Sequence, residues 1–373
     1  MKPLLTFADK IQGERAAGLR YNTPHVKGDN TKMKIDPRAS APKQAVPRWQ
    51  DIVAKYQNPD LRRSLWNMTN TFVPYFVGWY LMYRSLEISY WLTLALALPT
   101  VGMLMRVFII LHDCGHGSYF KSMKANDWVG TLCGVFTFTP YFQWRHHHAI
   151  HHASAGDLER RGVGDVLTLT VQEYLALPWW RKLGYRLYRN PLVMLVLGPF
   201  LLFAVAQRFT SSVGGKRERY SVHLTNAALL ALFVVGGWAI GFKAVLLIQL
   251  PLLLLSSTAG VWMFYVQHQF EDTYWEHHPD WQYALAALKG SSYYKLPKVL
   301  QWFTGNIGFH HIHHLSPKIP NYNLQKAFDE NPIFHHVTIV TFWESLKTMS
   351  LKLWDEQQEK MVGFRHLQTI RTS

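Results

Sequence analysis

The chain has 373 residues with a formal net charge of +15, 49% hydrophobic residues and 14% aromatic ones, 15 of them Trp. Charged residues make up only 17%, against an ordinary share of about 25%. That balance argues against a nucleic-acid binder, which carries more charge and lacks long apolar runs. It suits a membrane protein whose cationic loops face anionic lipid on the cytoplasmic side.

The opening stretch, MKPLLTFADKIQGERAAG, has no apolar core of signal-peptide length and no small-residue cleavage site, so no secretory signal is expected. Residues 1–65 are rich in Pro, Lys, Arg and Gln and read as an N-terminal cytoplasmic arm with a short helix near 48–57. A membrane domain is expected over 66–345 and a cytoplasmic tail over 346–373. The first apolar stretch runs from about Thr71 to Tyr83 and the second from about Ile88 to Leu111. The polar break between them, YRSLEISY, is short enough to make an antiparallel hairpin. Cys114 and Cys133 are the only cysteines and suggest no disulfide framework. Further on, 224–241 and 243–266 each approach the roughly 20 residues that span a bilayer. They form a second hairpin turning near Gly241–Lys243.

Two weaker segments, 127–142 and 191–206, have basic residues at both ends. Lys121, Lys124 and Arg145 flank one; Arg181, Lys182, Arg186 and Arg189 precede the other, and Arg208, Lys216, Arg217 and Arg219 follow it. The positive-inside rule puts both ends of each on the cytoplasmic side, as interfacial or re-entrant helices. The fold class expected is therefore an all-α integral membrane protein with four spans in two hairpins and a cytoplasmic cap. The alternative, six full spans, makes an odd number of crossings between residues 150 and 312.

That count matters because of three histidine clusters: HDCGH (112–116), HHHAIHH (146–152) and HHIHH (310–314). His112 and His116 stand at i, i+4. His148, His151 and His152 stand at i, i+3, i+4, and His310, His313 and His314 repeat that spacing. On a helix such positions share one face, with Cβ atoms about 5–6 Å apart. Imidazoles so placed can converge on one metal at about 2.0–2.1 Å, judging from zinc–nitrogen bonds. Neutral imidazole ligates Zn, Fe, Cu and Ni, and coordination removes the repulsion that protonated rings would suffer. Eight ligands are too many for one ion, so two metals are expected. His268, just past the last span at the same depth, is a ninth candidate. His146, His147 and His311 fall off the shared spacings and read as neighbours of the ligands or solvent-facing groups. The pairs His277–His278 and His335–His336 have no i+3 or i+4 partners and are left out.

The boxes H-x3-H, H-x2-H-H and H-x2-H-H, with HDCGHGSYF, WRHHHAIHHASAGDLERRG, YVQHQFEDTYWE and GNIGFHHIHHLSPKIPNYNL, resemble the membrane-bound fatty acid desaturases over roughly 66–345. The three-residue interval in the first box resembles the acyl-lipid branch, which includes bacterial Δ12-type and Δ5-type enzymes, whereas acyl-CoA enzymes usually have four. The resemblance implies two non-haem iron ions, dioxygen as co-substrate and the acyl chain of a membrane phospholipid or glycerolipid as substrate. The implied ligands are His112, His116, His148, His151, His152, His310, His313 and His314, with His268 matching an additional one. Asn306 corresponds to an asparagine near the metals in related enzymes, and Asp113 lies within the first box, next to His112. No His-Pro-Gly-Gly motif occurs, so the resemblance implies a separate electron donor, ferredoxin or cytochrome b5 with its reductase. The expected location is a bacterial inner membrane with the active site on the cytoplasmic face.

Spans running into ligands are the natural walls of an acyl channel. Ile110 in the second span and Met263 in the fourth line the last turns before ligands, and the small Ala259 and Gly260 leave room for a chain. Small residues also serve close helix packing, so both readings stand. The basic residues at 181–189 and 216–219 suit lipid headgroups, an acidic donor or plain topology signals. Two rival functions share some of these features. An acyl or carotenoid hydroxylase or ketolase uses the same hydrogen abstraction. A membrane metal transporter would need ionisable residues along a path through the spans, and the four spans are almost free of them. Double-bond position, acyl length, headgroup, donor identity and oligomeric state are not legible.

Overall fold

The computed structural model describes residues 48–368. The chain divides into two compact units, Met1–Ile52 and Val53–Ser373. The short helix expected near 48–57 is α1 (Trp49–Ala54); most of the rest of the arm lies outside the described residues.

α2 (Leu61–Ser85) begins at Asp60, whose carboxylate accepts from the Arg63 N–H at 3.0 Å, a side-chain cap of the kind that satisfies an orphan helical donor. Its first turns are polar and dock on the cap: Arg63 donates to Asn323 Oδ1 and the Tyr322 carbonyl, both at 2.6 Å. Only the later turns are apolar. A break of four residues leads to α3 (Tyr90–His116), which packs against α2 as the expected hairpin. The next helices, α4 (Met123–Phe136) and α5 (Tyr141–Ser154), have 14 residues each. At about 21 Å they are too short for a hydrocarbon core of about 30 Å.

Two-residue β1 (Leu169–Thr170) precedes α6 (Val171–Ala176) and α7 (Trp179–Tyr188). A π-helical turn, Val193–Leu197, runs into α8 (Gly198–Ala204). α7 and the following segment to Arg208 meet at a 60° bend. α9 (Lys216–Ile240) and α10 (Phe242–His268) form the second hairpin. Gly241 makes the turn at φ +90°, a backbone conformation open to glycine at no steric cost.

The cap follows, with α11 (Tyr283–Lys289), β2 (Tyr293–Lys295), α12 (Lys298–Phe303), α13 (His310–Leu315) and α14 (Asn321–Glu330). β3 (Ile339–Thr341), α15 (Phe342–Thr348), β4 (Leu353–Asp355) and β5 (Lys360–Val362) complete it. β2 pairs parallel with β3, β1 parallel with β4 (Leu169 opposite Leu353), and β4 antiparallel with β5. The molecule is thus mostly helical, and its strands are two- or three-residue ties within the cap.

Among the described residues three helices, α3, α9 and α10, are long and apolar enough to cross a membrane; the bent α7–α8 pair would make a fourth only if it counted as one span. The first expected span, α2, is not among them, because its apolar part is confined to the turns after Asn70. A second departure is Arg106, inside α3 and 4% exposed. Its guanidinium donates to Thr71 Oγ1 at 3.0 Å, Asn70 Oδ1 at 2.9 Å and the Trp302 carbonyl, and stacks on the Trp302 ring. It ties α2 and α12 to α3; the expectation that the spans carry almost no ionisable groups overlooked it.

Candidate metal centre

His112 and His116 occupy the last two turns of α3. The helix ends there because Gly117 adopts φ +62°, with its N–H turned back to the Asp113 and Cys114 carbonyls. α5 carries His148, His151 and His152 on one face; α13 carries His310, His313 and His314; His268 is the last residue of α10. All nine come together.

They form two adjacent sets. The ligand atoms of His112, His116, His148, His152 and His313 all lie within 4.8 Å of one another, and so do those of His151, His268 and His314. His310 joins the second set, with Nε2 3.0 Å from Nε2 of His268. The sets adjoin where the His152 and His314 rings stack at 4.1 Å. Because these residues come from both sides of α9 and α10, the chain crosses an even number of times between the second and third boxes. An odd number of crossings between them, as in the six-span alternative, would not bring these boxes together.

The donor geometry fits metal ions. His151 Nδ1 lies 2.5 Å from Asp165 Oδ1 and His268 Nδ1 lies 3.1 Å from the Gly290 carbonyl oxygen. Each Nδ1 must donate to an acceptor-only oxygen, so each Nε2 bears a lone pair. Those two Nε2 atoms face each other at 3.2 Å, which is repulsive unless a cation accepts both pairs. The His148–His152 and His152–His313 Nε2 separations are each 3.1 Å. Nitrogens about 2.0–2.1 Å from one ion, at angles between square and tetrahedral, stand about 2.9–3.4 Å apart. Nε2 of His116 and of His314 is buried without a hydrogen-bond partner.

Electrostatics favour the neutral, ligating form. Burial holds the pKa of His148, His152, His310, His313 and His314 well below the ordinary 6.5, and neighbouring histidines push in the same direction. At neutral pH their lone pairs are available without competition from protons.

Groups around the ligands hold their orientation. Asp113 Oδ1 lies 3.3 Å from His112 Nδ1, and its other oxygen accepts from the Asn321 N–H at 2.7 Å and side-chain amide at 2.8 Å. The Trp144 ring stacks on His148 at 4.4 Å. Asp165 and Trp144 were not singled out in the sequence; the fixed distance of Asp165 from the second box, in the loop RGVGD, was the available signal.

The other expected positions divide. Asn306 accepts from Gln301 Nε2 at 3.0 Å and donates to the Asn321 carbonyl at 3.3 Å, so its connection toward His112 runs through Asn321 and Asp113. Its φ of +60° also gives the turn before α13 a local reason for asparagine. His147 is partly buried and belongs to neither set; burial lowers its pKa. His311 is fully buried among Tyr293, Phe328 and Phe334, which pushes its pKa down to about 3; it is neither solvent-facing nor in a histidine set. Ile110 is fully buried and Met263 nearly so, while Ala259 and Gly260 are half-buried. The pair His277–His278 lies elsewhere, bound to Glu159, Glu356 and Asp157.

Comparison with known proteins gives a concordant result. The family model described as fatty acid desaturase matches residues 89–342. A fatty acid desaturase of Bacillus subtilis is 47% identical over 321 residues, covering 86% of this chain and 91% of that protein. An sn-1 oleoyl-lipid 12-desaturase of Synechocystis is 28% identical, covering 59% of this chain and 62% of its own. An sn-1 acyl-lipid omega-3 desaturase (ferredoxin) of the same organism is similar at 28%, with the same coverage.

Proposed function

The chain belongs to the fatty acid desaturase family, and from that premise we propose that it introduces a cis double bond into an acyl chain of a membrane lipid, using dioxygen and electrons from a separate donor. The observation that carries this reading is the pair of lone-pair-bearing Nε2 atoms, on His151 and His268, facing each other at 3.2 Å within nine converging histidines. In this reading His112, His116, His148, His152 and His313 hold one iron ion and His151, His268, His310 and His314 hold a second. The irons, when bound with dioxygen and reductant, supply the strong oxidant that removal of hydrogen from an unactivated methylene needs and side chains lack.

The protein's own task is to hold one C–C bond at fixed depth and keep the ligands neutral and oriented. Asp165, Asp113 and the Gly290 carbonyl fix ring tautomers. α3 and α10 end in ligands, so an acyl chain lying between their last turns would reach the metals from the lipid side. Ile110, Ala259, Gly260 and Met263 are the walls proposed for it. A Cβ at Gly260 would have only the Met105 thioether end at 4.0 Å, which supports space at that point. The names of the Synechocystis relatives specify lipid-bound acyl substrates and, for one, ferredoxin. By that analogy the substrate is a phospholipid or glycerolipid, and the donor is ferredoxin or cytochrome b5 with its reductase. In this reading the histidine cap, the arm of 1–65 and the tail of 346–373 lie on the cytoplasmic side of a bacterial inner membrane, an orientation that the basic residues flanking the apolar helices support.

Expression in a host without polyunsaturated lipids, followed by mass spectrometric location of new double bonds, tests the reading. A new double bond in lipid-bound acyl chains is expected. A retained hydroxyl or keto oxygen would assign the chain to hydroxylation or ketolation, and no change in lipids together with metal uptake into vesicles would assign it to transport.

A further inference from the structure

On the cap, away from both histidine sets, α7 and the C-terminal segment enclose an open cavity of about 470 Å³. Its walls include Tyr174, Trp179, Phe364 and three cations, Lys182, Arg186 and Arg365. Among the described residues no carboxylate lines it, and none of the three cations is in an ion pair. Two are held in place by neutral groups. Arg186 Nε donates to the Tyr174 hydroxyl at 2.7 Å and its guanidinium lies 4.6 Å over the Phe364 ring, while Lys182 Nζ donates to the Leu175 carbonyl at 2.8 Å. Each retains N–H donors for another acceptor. A cluster of oriented cations beside an aromatic wall, with no carboxylate among the described residues lining it, suits a phosphate-like anion.

The neighbouring surface says which anion. α7 exposes Trp179, Trp180, Leu183 and Leu187, spaced to form one stripe along the helix and 50–76% accessible. An apolar stripe with two tryptophans beside a cationic face is the pattern of a helix lying in the membrane interface. The 60° bend into the apolar segment 193–208 carries the chain from that plane toward the lipid. A free phosphate or an acidic soluble protein would use the cations and leave the stripe bare; a glycerophospholipid covers both.

We propose that this cavity is a binding site for the headgroup phosphate of an anionic phospholipid, whose acyl chains lie along the α7 stripe, and that it is separate from the metal centre. Lys182, Arg186 and Arg365 bind the phosphate oxygens. Trp179 stands where headgroup meets chain.

The full-length protein, reconstituted into phosphatidylcholine bilayers, tests this with phosphatidylglycerol or phosphatidylcholine brominated on the acyl chains as tryptophan quenchers. Selective quenching by the phosphatidylglycerol probe is expected, with the selective component reduced in Trp179→Phe and absent in the doubly substituted Trp179→Phe, Trp180→Phe protein. The doubly substituted Lys182→Gln, Arg365→Gln protein should lose about tenfold or more in selectivity, since each interfacial cation is worth about fivefold. The Lys182→Arg, Arg365→Lys protein should keep it, which separates charge from folding. Equal quenching by both lipids in the wild type would overturn the proposal, as would full selectivity in the double Gln protein. Abolition of the selectivity by millimolar inorganic phosphate would make the site one for free anions and overturn the lipid assignment. Protection by an acidic ferredoxin without lipid selectivity would overturn it in favour of a donor surface. None of these outcomes depends on desaturation, so the result is independent of the activity assay.

Discussion

Asp165 decides which nitrogen of His151 faces the second set of histidines. With Nδ1–H donating to its carboxylate at 2.5 Å, Nε2 keeps its lone pair. Carboxylates behind ligating histidines typically govern metal affinity by about 10–100-fold. Asp165→Leu should therefore fold and insert normally but surrender part of its iron to a chelator that leaves the wild type loaded, measured as iron per protein before and after dialysis. Unchanged retention would show that the carboxylate does not steer the ring. A second prediction concerns His277, on the surface. A hydrogen bond from its ring to Glu159, the largest influence, raises its pKa above 6.5, aided by Glu356. A raised pKa means the folded state prefers the proton. The contribution to stability is complete below 6.5 and is lost as pH rises through the raised value. Titration of the His277 ring by NMR should show a midpoint above 6.5 that drops in Glu159→Gln; an unmoved midpoint would refute the assigned cause. The eight box histidines were legible in the sequence because helical spacing is local. Asp165 was not, because a carboxylate in a glycine-rich loop acquires its role only when the loop folds back on α5.

At the scale of elements, helix ends place the chemistry. α3 and α10 each finish on a histidine of the cluster, so whatever lies between their last turns lies at a set depth below it. The apolar runs exposed both helices in the sequence, with the turn at Gly241 where expected. The length of α2 was not legible, because its polar first turns become helical through contacts with Tyr322 and Asn323, about 260 residues away in the chain. The partners that let Arg106 sit in a span were likewise hidden, since Thr71, Asn70 and Trp302 belong to other elements. If the acyl channel runs past Gly260, a bulky residue there should shorten it. A Cβ at this position would first meet the end of the Met105 side chain, at 4.0 Å, so Gly260→Leu should preserve folding and iron content. Conversion of the longest acyl chains should fall at least tenfold while shorter chains remain substrates. Conversion measured across a series of chain lengths checks this; an equal loss at every length with iron still bound would remove the channel from this site.

For the molecule as a whole, convergence of the boxes constrains topology more tightly than any hydropathy profile. Residues before α9 and after α10 build one centre, so the two helices together must return the chain to the side it left. The start of α2 docks on Tyr322 and Asn323 of the cap and α3 ends in the first box, so the α2–α3 connection and the α9–α10 turn are the far ends of the two hairpins. In the proposed orientation Glu87 and Lys243 then face away from the cytoplasm, whereas Ser212 and Lys289 face it. All four side chains are exposed, and the native Cys114 and Cys133 are buried, so single cysteines at the four positions can be labelled over a low background. In inverted vesicles, whose outer surface is cytoplasmic, a membrane-impermeant maleimide should label Ser212→Cys and Lys289→Cys. In intact cells with a permeable outer envelope it should label Glu87→Cys and Lys243→Cys. Full inversion of the pattern would keep the hairpins and reverse the orientation, moving the centre away from any cytoplasmic electron donor. Labelling of Ser212→Cys on the side opposite Lys289→Cys would be the more damaging result. It would mean that α9 and α10 do not both cross the membrane, and with α7–α8 turned back on one side the second and third boxes could not then share one centre.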